Sequence, residues 1–389
     1  MTDTTQADVL VPSYAAAKPA RQAGRRPGYL FGPIADFMLL GGGSILACAL
    51  ILLLLPKGIS GAQQAVLVTV LMTIINQPHF AHSYQMFYGN YRQKAFGSYA
   101  RGLRLRYIFA GLVAPVLLIA FLAGTAISGN VRALAFGANI MFLTVGWHYV
   151  KQGYGILMVD SVQKRLMFSD RAKWLLRVNG YACWGVAWLE ANHEISKPNL
   201  YLGLTYFSIP FPNYVYDAAI SFAVVTSAAV LWVLAMRFRE SRGALPWNGV
   251  VAYLTTLYLW VVFVRINPFF LAVIPSFHSL QYLAVVWRYQ LNAGAKSADS
   301  RASYLKAFWP TGVLPNLAMF VGIGIFLGFL GFMGAPRLLD AVVPYNKHLY
   351  GTGLFLFAFY IFINVHHYFL DNVMWRRGNP DVVQHIFSR

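Results

Sequence analysis

Long apolar segments alternate with short polar segments between about residue 32 and residue 373. Each apolar segment holds about 20 residues, the length that an α-helix needs to cross the hydrocarbon core of a bilayer. We therefore predict an all-α, polytopic integral membrane bundle, with one transmembrane domain at 30–377 between cytoplasmic tails at 1–29 and 378–389. The ten predicted spans cover about 32–55, 64–88, 107–127, 134–158, 174–191, 216–236, 248–265, 267–288, 311–334 and 350–373.

Composition supports this interpretation and limits the meaning of the basic charge. The chain is 58% hydrophobic and 11% charged, whereas soluble domains carry about 25% charged residues. The formal net charge of +18 would be typical of a nucleic-acid-binding protein if it formed one patch. Here the basic residues lie between the apolar segments, where membrane topology places them. We expect no nucleic-acid partner.

The distribution of Lys and Arg also predicts the orientation of the chain. With the N-terminus inside, 25 of the 31 basic residues fall in inside segments and 6 in outside segments. An even number of spans is required for this asymmetry, because cytoplasmic segments carry the excess of Lys and Arg. We expect both termini in the cytoplasm and a bacterial-type inner (plasma) membrane.

Histidines concentrate in four of the even-numbered spans, in the half nearer the cytoplasm. Ionisable groups at this depth are costly and are functional candidates by default. We predict that these spans converge on one metal site. The candidate ligands are His79 and His82 in span 2, His148 in span 4, His278 in span 8, and His366 and His367 in span 10.

A regular spacing suggests that these histidines share one depth. Ten residues separate a histidine from an arginine three times, and ten helical residues span about 15 Å. If the arginines mark the inner interface, the three histidines lie at one level beneath it. The pairs are His82 with Arg92, His278 with Arg288, and His366 with Arg376.

Other polar residues of the same spans are candidates for supporting roles. Asp371 is four residues after His367 and shares its helix face, so it is a candidate ligand or a group that holds the ring. Asp36, near the start of span 1, is a candidate carboxylate for the same layer. Gln85, Gln152 and Gln281 are candidate hydrogen-bonding partners of the ligands. Four tyrosines are candidates for lining a substrate site, namely Tyr84, Tyr149, Tyr282 and Tyr368.

A nitrogen-rich ligand set with a carboxylate suits Fe, Zn, Cu or Ni better than Mg or Ca. Six histidines exceed the three or so that catalytic zinc uses, so we expect iron, as one or two ions. Two simpler interpretations stay open: hydrogen-bonded packing histidines, and an ordinary polar belt at the interface. His193, His348 and His385 lie outside the layer, and we expect them to be surface residues.

On these motifs the chain resembles the histidine-motif membrane oxygenases, which include desaturases, hydroxylases and Brp-like carotenoid-cleaving enzymes. The resemblance rests on His79/His82, His148, His278 and His366/His367 and on their inner-face placement. It implies non-haem iron, dioxygen and a lipid or isoprenoid substrate. The motifs depart from those of desaturases, which carry His-x(3–4)-His and two His-x(2–3)-His-His boxes, because this chain has one His-x-x-His, two single histidines and one His-His.

The leading hypothesis is therefore a membrane oxidoreductase that oxidises a membrane lipid or another apolar substrate with dioxygen. Its electrons would come from a separate cytoplasmic donor, because the chain has no cysteine cluster and no nucleotide-binding motif. Haem or copper ligation is one alternative. A transporter with a His/Asp relay is another, and a scaffold subunit that needs a partner is a third.

Overall fold

The structure is a computed structural model that describes residues 28–54, 60–194, 199–201, 204–206, 208–267, 269–297, 313–376 and 378–387. The elements in chain order are α1 (Pro33–Leu54), α2 (61–88), α3 (Tyr91–Phe96), α4 (Arg101–Ile127), α5 (Val131–Gln163), α6 (Asp170–Glu194), β1 (Asn199–Tyr201), β2 (Leu204–Tyr206), α7 (Asn213–Glu240), α8 (Trp247–Ile266), α9 (Phe270–Ser297), α10 (313–342), α11 (Lys347–Tyr350), α12 (Leu354–Met374) and α13 (380–387).

Eight helices within the described residues are long and apolar enough to cross a membrane. They are α1, α4, α5, α7, α8, α9, α10 and α12, and each covers a segment that the hydrophobic pattern predicts to be a span. The other two predicted spans form α2 and α6, which have sufficient length but a more polar sequence. The helical membrane character is thus confirmed, while the count of ten and the orientation of the termini stay predictions.

Four helices that carry the histidines form the centre of the bundle. α12 packs against α2, α4 and α5, while α9 packs against α2, α10 and the wide turn in α1. α5 also packs along α6 and α8, and α7 packs along the far side of α6. The central contacts hold together helices from both ends of the chain, so residues far apart in sequence meet in one core.

Three helices, α2, α4 and α10, contain a π-helical turn shortly before a proline. The turns are Met72–Asn76 before Pro78, Phe109–Val113 before Pro115 and Leu330–Gly334 before Pro336. A proline ring collides with the carbonyl four residues earlier in an α-helix, and a wider turn relieves this collision. Each turn adds one residue to the helix, so it rotates the following residues about the helix axis relative to a regular α-helix.

The segments outside the bundle have little regular structure. Of the predicted N-terminal tail, 1–27 lie outside the described residues. Between α6 and α7, β1 bonds to β2 in a short antiparallel pair. At the other end of the chain, 378–387 include the short helix α13, whose Val382 and Ile386 are buried.

Candidate metal centre

Four histidines and one aspartate from four helices meet in the centre of the bundle. They are His79 on α2, His148 on α5, His278 on α9, and His367 with Asp371 on α12, and each is at most 8% exposed. Their rings touch edge to face, with centroids 4.5 Å apart for His79 and His367 and 4.9 Å apart for His148 and His367. We call these five residues the histidine cluster.

The hydrogen bonds of His79 determine which of its nitrogens carries the proton. Its Nδ1 lies 2.9 Å from the carbonyl oxygen of Asn76, and a carbonyl can only accept, so Nδ1–H donates there. Ser279 Oγ lies 3.1 Å from the same nitrogen and is held by Asn76 Oδ1 at 2.7 Å. The Nε2 of a neutral His79 ring therefore presents a lone pair to the cluster.

That lone pair faces other groups that can bind a cation. His79 Nε2 lies 3.0 Å from His367 Nε2, and His367 Nε2 lies 3.5 Å from Asp371 Oδ2. His148 Nε2 approaches the same carboxylate oxygen at 3.6 Å. One ligand atom each from His148, His367 and Asp371 lies within 4.8 Å of the others.

A single cation would satisfy these atoms together. Among the described residues, His148 Nε2 and Asp371 Oδ2 have no hydrogen-bond partner. A hydrogen bond from His367 Nε2–H to His79 Nε2 would satisfy only those two nitrogens. It would leave Asp371 Oδ2 unpaired, and burying an unpaired carboxylate oxygen costs free energy. Nitrogens bound at 2.0–2.1 Å to one metal lie roughly 2.8–3.4 Å apart for cis-octahedral to tetrahedral ligands. The 3.0 Å between His79 Nε2 and His367 Nε2 lies in this range, and the donor set suits a transition-metal ion.

His278 completes the cluster from the side of α9. Its ring lies 5.1 Å from that of His148 and 5.7 Å from that of His79 between centroids. It stacks on Tyr149, with centroids 3.6 Å apart. Neither ring nitrogen has a hydrogen-bond partner among the described residues. Both nitrogens are thus available, and the stacked tyrosine restricts the ring to this orientation.

Asp371 is oriented by a chain of hydroxyl groups. Ser83 Oγ donates to Tyr282 Oη at 2.6 Å, and Tyr282 Oη donates to Asp371 Oδ1 at 3.2 Å. The other oxygen, Oδ2, is left to face the two histidines. Such outer contacts fix the direction of a ligand and tune its affinity, so Tyr282 supports the cluster through the carboxylate.

His366 does not join the cluster, although it precedes His367. Its Nε2–H donates to the carbonyl of Ala110 at 2.8 Å, and the Tyr84 hydroxyl donates to its Nδ1 at 2.6 Å. Ala110 has a spare carbonyl because the π-helical turn pairs Ala114 N–H with Phe109, and the next residue is a proline without an N–H. Both ring nitrogens of His366 are therefore occupied in packing.

His82 is also separate from the cluster, one turn beyond His79 on α2. Its Nδ1 donates to Gln85 Oε1 at 2.7 Å, and its ring stacks on Phe320 at 4.3 Å between centroids. A side chain at Gly324 would overlap this ring, so α10 closes over it. Of the six predicted ligands, the structure thus brings four histidines together and leaves His82 and His366 apart.

The ten-residue spacing does not follow one continuous helix in two of its three pairs, so the prediction of one depth loses its basis there and stays a prediction. α2 ends at Tyr88, and Asn90 takes a left-handed conformation before Arg92. α12 ends at Met374, before Arg376. The length of about 15 Å expected for ten helical residues therefore does not apply to these two pairs. Their histidines, His82 and His366, both lie outside the cluster.

The remaining predicted polar residues have separate roles. Asp36 accepts from the backbone N–H groups of Leu30 and Phe31 at 2.6 and 2.8 Å, so it orders the start of α1 instead of joining the layer. Gln281 Nε2 donates to the Leu40 carbonyl at 2.6 Å, in the wide turn of α1. Gln152 Nε2 donates to the His278 carbonyl at 3.0 Å and thereby ties α5 to α9.

The four candidate tyrosines divide between the cluster and its surroundings. Tyr149 and Tyr282 contact cluster residues, as described above, and Tyr84 bonds to His366. Tyr368 packs on Trp147, with centroids 5.2 Å apart. A small cavity of ≈ 10 Å³ beside His278 is lined by Tyr149, Thr255, Trp260 and neighbouring residues, which is about the room that one water needs.

The histidines that we expect at the surface also differ among themselves. His348 lies on the exposed short helix α11. His385 on α13 is half-buried and packs on Tyr289 at 4.9 Å between centroids. The side chain of His193 lies outside the described residues.

Sequence reasoning did not single out Asn76, Ser83 and Ser279, which position His79 and Tyr282. All three are fully buried polar residues, and each lies within three or four residues of a histidine of the cluster or of its motif. A short polar side chain inside an apolar span is costly unless it is hydrogen-bonded. That cost is the signal by which these residues could have been found.

Of the other cofactors that the sequence left open, copper and zinc fit the histidine cluster and haem does not. Histidine nitrogens and a carboxylate oxygen suit copper or zinc as well as iron. Haem does not fit, because two axial histidines bind on opposite faces of the macrocycle, whereas His79 Nε2 and His367 Nε2 are 3.0 Å apart. The adjoining cavity of ≈ 10 Å³ has no room for a porphyrin.

Comparison of the chain with protein-family models, with curated proteins and with solved structures gives no match.

Proposed function

We propose that this chain is an integral-membrane, metal-dependent oxidoreductase that acts on an apolar substrate with dioxygen. The histidine cluster would hold one transition-metal ion, with iron the best candidate. A single observation carries the proposal: donor atoms of His148, His367 and Asp371 converge within 4.8 Å in the middle of the bundle, and His148 Nε2 and Asp371 Oδ2 are buried without a hydrogen-bond partner among the described residues.

One ion accounts for the donor set better than two. The cluster contains a single carboxylate, Asp371, and His82 and His366 lie outside it. His148, His367 and Asp371 supply the closest set of donor atoms, His79 Nε2 lies 3.0 Å from His367 Nε2, and His278 supplies a further nitrogen. Iron with positions that are not filled by protein ligands supplies redox chemistry with dioxygen.

The residues around the cluster suit such chemistry. His79 is held in one tautomer by the Asn76 carbonyl, so its Nε2 stays ready to bind. Tyr282 donates to Asp371 and keeps the carboxylate oriented without neutralising Oδ2. The packed aromatic surroundings exclude bulk water, which strengthens every electrostatic interaction within the site.

An apolar substrate is favoured by the position of the cluster among apolar helices. Those helices expose large aliphatic and aromatic side chains on the outside of the bundle, where hydrocarbon would surround them. A lipid or isoprenoid dissolved in the bilayer would reach the cluster from that side. A cytoplasmic donor would supply electrons, because Cys48 and Cys183 are both buried and separate.

The first test is elemental analysis of the purified protein in detergent. We expect about one iron per chain, and we expect each of His148→Ala and His278→Ala to lower it strongly. His348→Ala is the matched control, because His348 is exposed on α11 and lies outside the cluster. A folded wild-type chain that is empty of transition metal, and stays empty after incubation with Fe²⁺, would overturn the proposal.

The second test separates oxidation from metal binding alone. Wild-type protein in vesicles would be supplied with a reductant and with unsaturated lipids or isoprenoids, and dioxygen uptake would be recorded. We expect uptake that depends on the apolar substrate and is lost in His148→Ala. Metal binding without substrate-dependent uptake across the panel would favour a metal transporter or a scaffold over an oxygenase.

A further inference from the structure

A second feature of the molecule lies away from the histidine cluster, where α3 meets the start of α4. A groove of ≈ 190 Å³ opens there, lined by Ala95 and Phe96 of α3 and by Arg101, Arg104, Leu105 and Ile108 of α4. We call it the arginine groove. It is far larger than the roughly 10–15 Å³ that one water needs.

The charge of the arginine groove is positive and largely uncompensated. The segment 89–106 contains five Lys or Arg residues and no Asp or Glu. Arg101 forms no hydrogen bond or ion pair with the described residues, and Arg104 makes one bond, to the Gly97 carbonyl at 3.2 Å. The carboxylate of Asp381 is paired with Lys94 at 3.7 Å. The two guanidinium groups therefore have donors to spare for an anion.

The opposite wall of the groove is apolar and continues along the outer face of α4. Phe96 is 58% exposed and Leu105 is 56% exposed. The apolar face continues through Leu112 and Val116, which are also exposed. Leu105, Leu112 and Val116 are all exposed apolar side chains of α4, so the apolar surface extends from the groove along the span.

A ligand that matches this surface has an anionic head and a long apolar tail. Guanidinium groups bind phosphate through paired N–H donors, and basic residues at the edge of a span attract anionic lipids. A soluble phosphate would use the arginines but not the apolar stripe. We propose that the arginine groove binds an anionic phospholipid, with the phosphate between Arg101 and Arg104 and an acyl chain along Leu105 and Leu112.

The test uses full-length protein reconstituted in vesicles of phosphatidylcholine, with and without phosphatidylglycerol. The readout is the phosphatidylglycerol retained on the protein after mild extraction, counted by native mass spectrometry. We expect the double variant Arg101→Ala/Arg104→Ala to weaken retention about 30-fold, from two lost charge contacts at an anionic surface. The double variant R101K/R104K should keep most of the phosphatidylglycerol retention, since both positive charges remain.

The matched control is Arg171→Ala/Arg239→Ala, which removes two exposed arginines from other segments that the charge pattern assigns to the same side. It should retain phosphatidylglycerol as the wild type does. Equal loss in both double variants would overturn the proposal, because the effect would then come from general surface charge. Wild-type retention in Arg101→Ala/Arg104→Ala would overturn it as well.

A separate arm distinguishes a lipid from free phosphate. Inorganic phosphate added during extraction should displace little phosphatidylglycerol, while Leu105→Asn should weaken lipid retention without changing the arginines. Full displacement by inorganic phosphate, with no effect of Leu105→Asn, would assign the groove to a soluble anion and overturn the lipid. The unfolding midpoint in detergent without added lipid verifies that each variant is folded.

Discussion

His366 and His367 are neighbours on α12, yet their surroundings are opposite. His366 has a partner on each ring nitrogen, a tyrosine hydroxyl on one side and a backbone carbonyl on the other. His367 has no partner on Nδ1 and directs Nε2 toward His79 and Asp371. The rotation of about 100° between adjacent helical residues separates a packing histidine from a candidate ligand.

The same contrast recurs on α2. His79 has one nitrogen fixed by the Asn76 carbonyl and the other directed into the cluster. His82 has one nitrogen fixed by Gln85, and its ring lies against Phe320 instead of other ligands. The second nitrogen of His82, Nε2, also has no hydrogen-bond partner among the described residues, so an unpaired nitrogen alone does not identify a candidate ligand. The groups that the ring faces distinguish the two roles.

The largest expected effect is that of Asp371→Asn. Replacing the only carboxylate of the cluster should weaken metal binding by more than about 100-fold, the upper end for outer-shell changes. The same change should raise the unfolding temperature of the metal-free protein, because an unpaired buried carboxylate is costly. Calorimetry with and without metal measures both the loss of metal affinity and the rise in unfolding temperature. Metal affinity like that of the wild type would remove Asp371 from the site.

The pair His367→Ala and His366→Ala tests the contrast directly. His367→Ala should strip the metal, while His366→Ala should keep it and lower the free energy of unfolding by about 2 kcal/mol, because the Ala110 carbonyl and the Tyr84 hydroxyl lose their partner. Metal content and thermal unfolding are measured on both variants. Equal metal loss in the two would contradict the separation of these neighbours.

A smaller effect is expected for Tyr282→Phe. The change removes the hydroxyl that donates to Asp371 but leaves every candidate ligand in place, so metal affinity should fall about 10-fold. Tyr84→Phe is the matched control, because its hydroxyl donates to His366 and should leave the affinity unchanged. Competition with a chelator of known affinity gives the ratio. The role of Tyr282 would be refuted by an unchanged affinity.

The smallest expected effect sharpens the role of His366. Pro115→Ala would restore an N–H five residues after Ala110, in register with the carbonyl that His366 now satisfies. The double variant Pro115→Ala/His366→Ala should therefore recover about 1 kcal/mol of the loss caused by His366→Ala alone. Thermal unfolding of the four proteins in the cycle gives this coupling. If the changes in unfolding free energy of the two single variants simply add in the double variant, then Pro115 is not the reason that the Ala110 carbonyl depends on His366.

Much of the fold could be predicted from the sequence, because hydrocarbon thickness requires apolar segments of one length. Eight of those segments are helices that are apolar enough to span. The meeting of α2, α5, α9 and α12 was also predictable, since costly polar residues on separate spans tend to face one another. His79, His148, His278, His367 and Asp371 were all among the candidates.

The sequence could not determine which member of each histidine pair enters the cluster. The π-helical turn at Met72–Asn76 rotates His79 and His82 together, and no periodicity argument anticipates it. The helix also breaks at Gly89–Asn90, so the distance from His82 to Arg92 cannot be calculated from the rise of one continuous helix. Asp36 was misjudged for a simpler reason: its partners are backbone N–H groups a few residues away, which compositional reasoning overlooks.

The separation of the cluster residues along the chain has a consequence for biogenesis. His79 and His367 are 288 positions apart, so α2 leaves the ribosome long before α12 does. No complete site can exist until α12 has inserted. A metal bound by the site would therefore be loaded only after that insertion, and since a ligand bound only by the native state adds to its stability, the metal would stabilise only those copies in which α12 is in place.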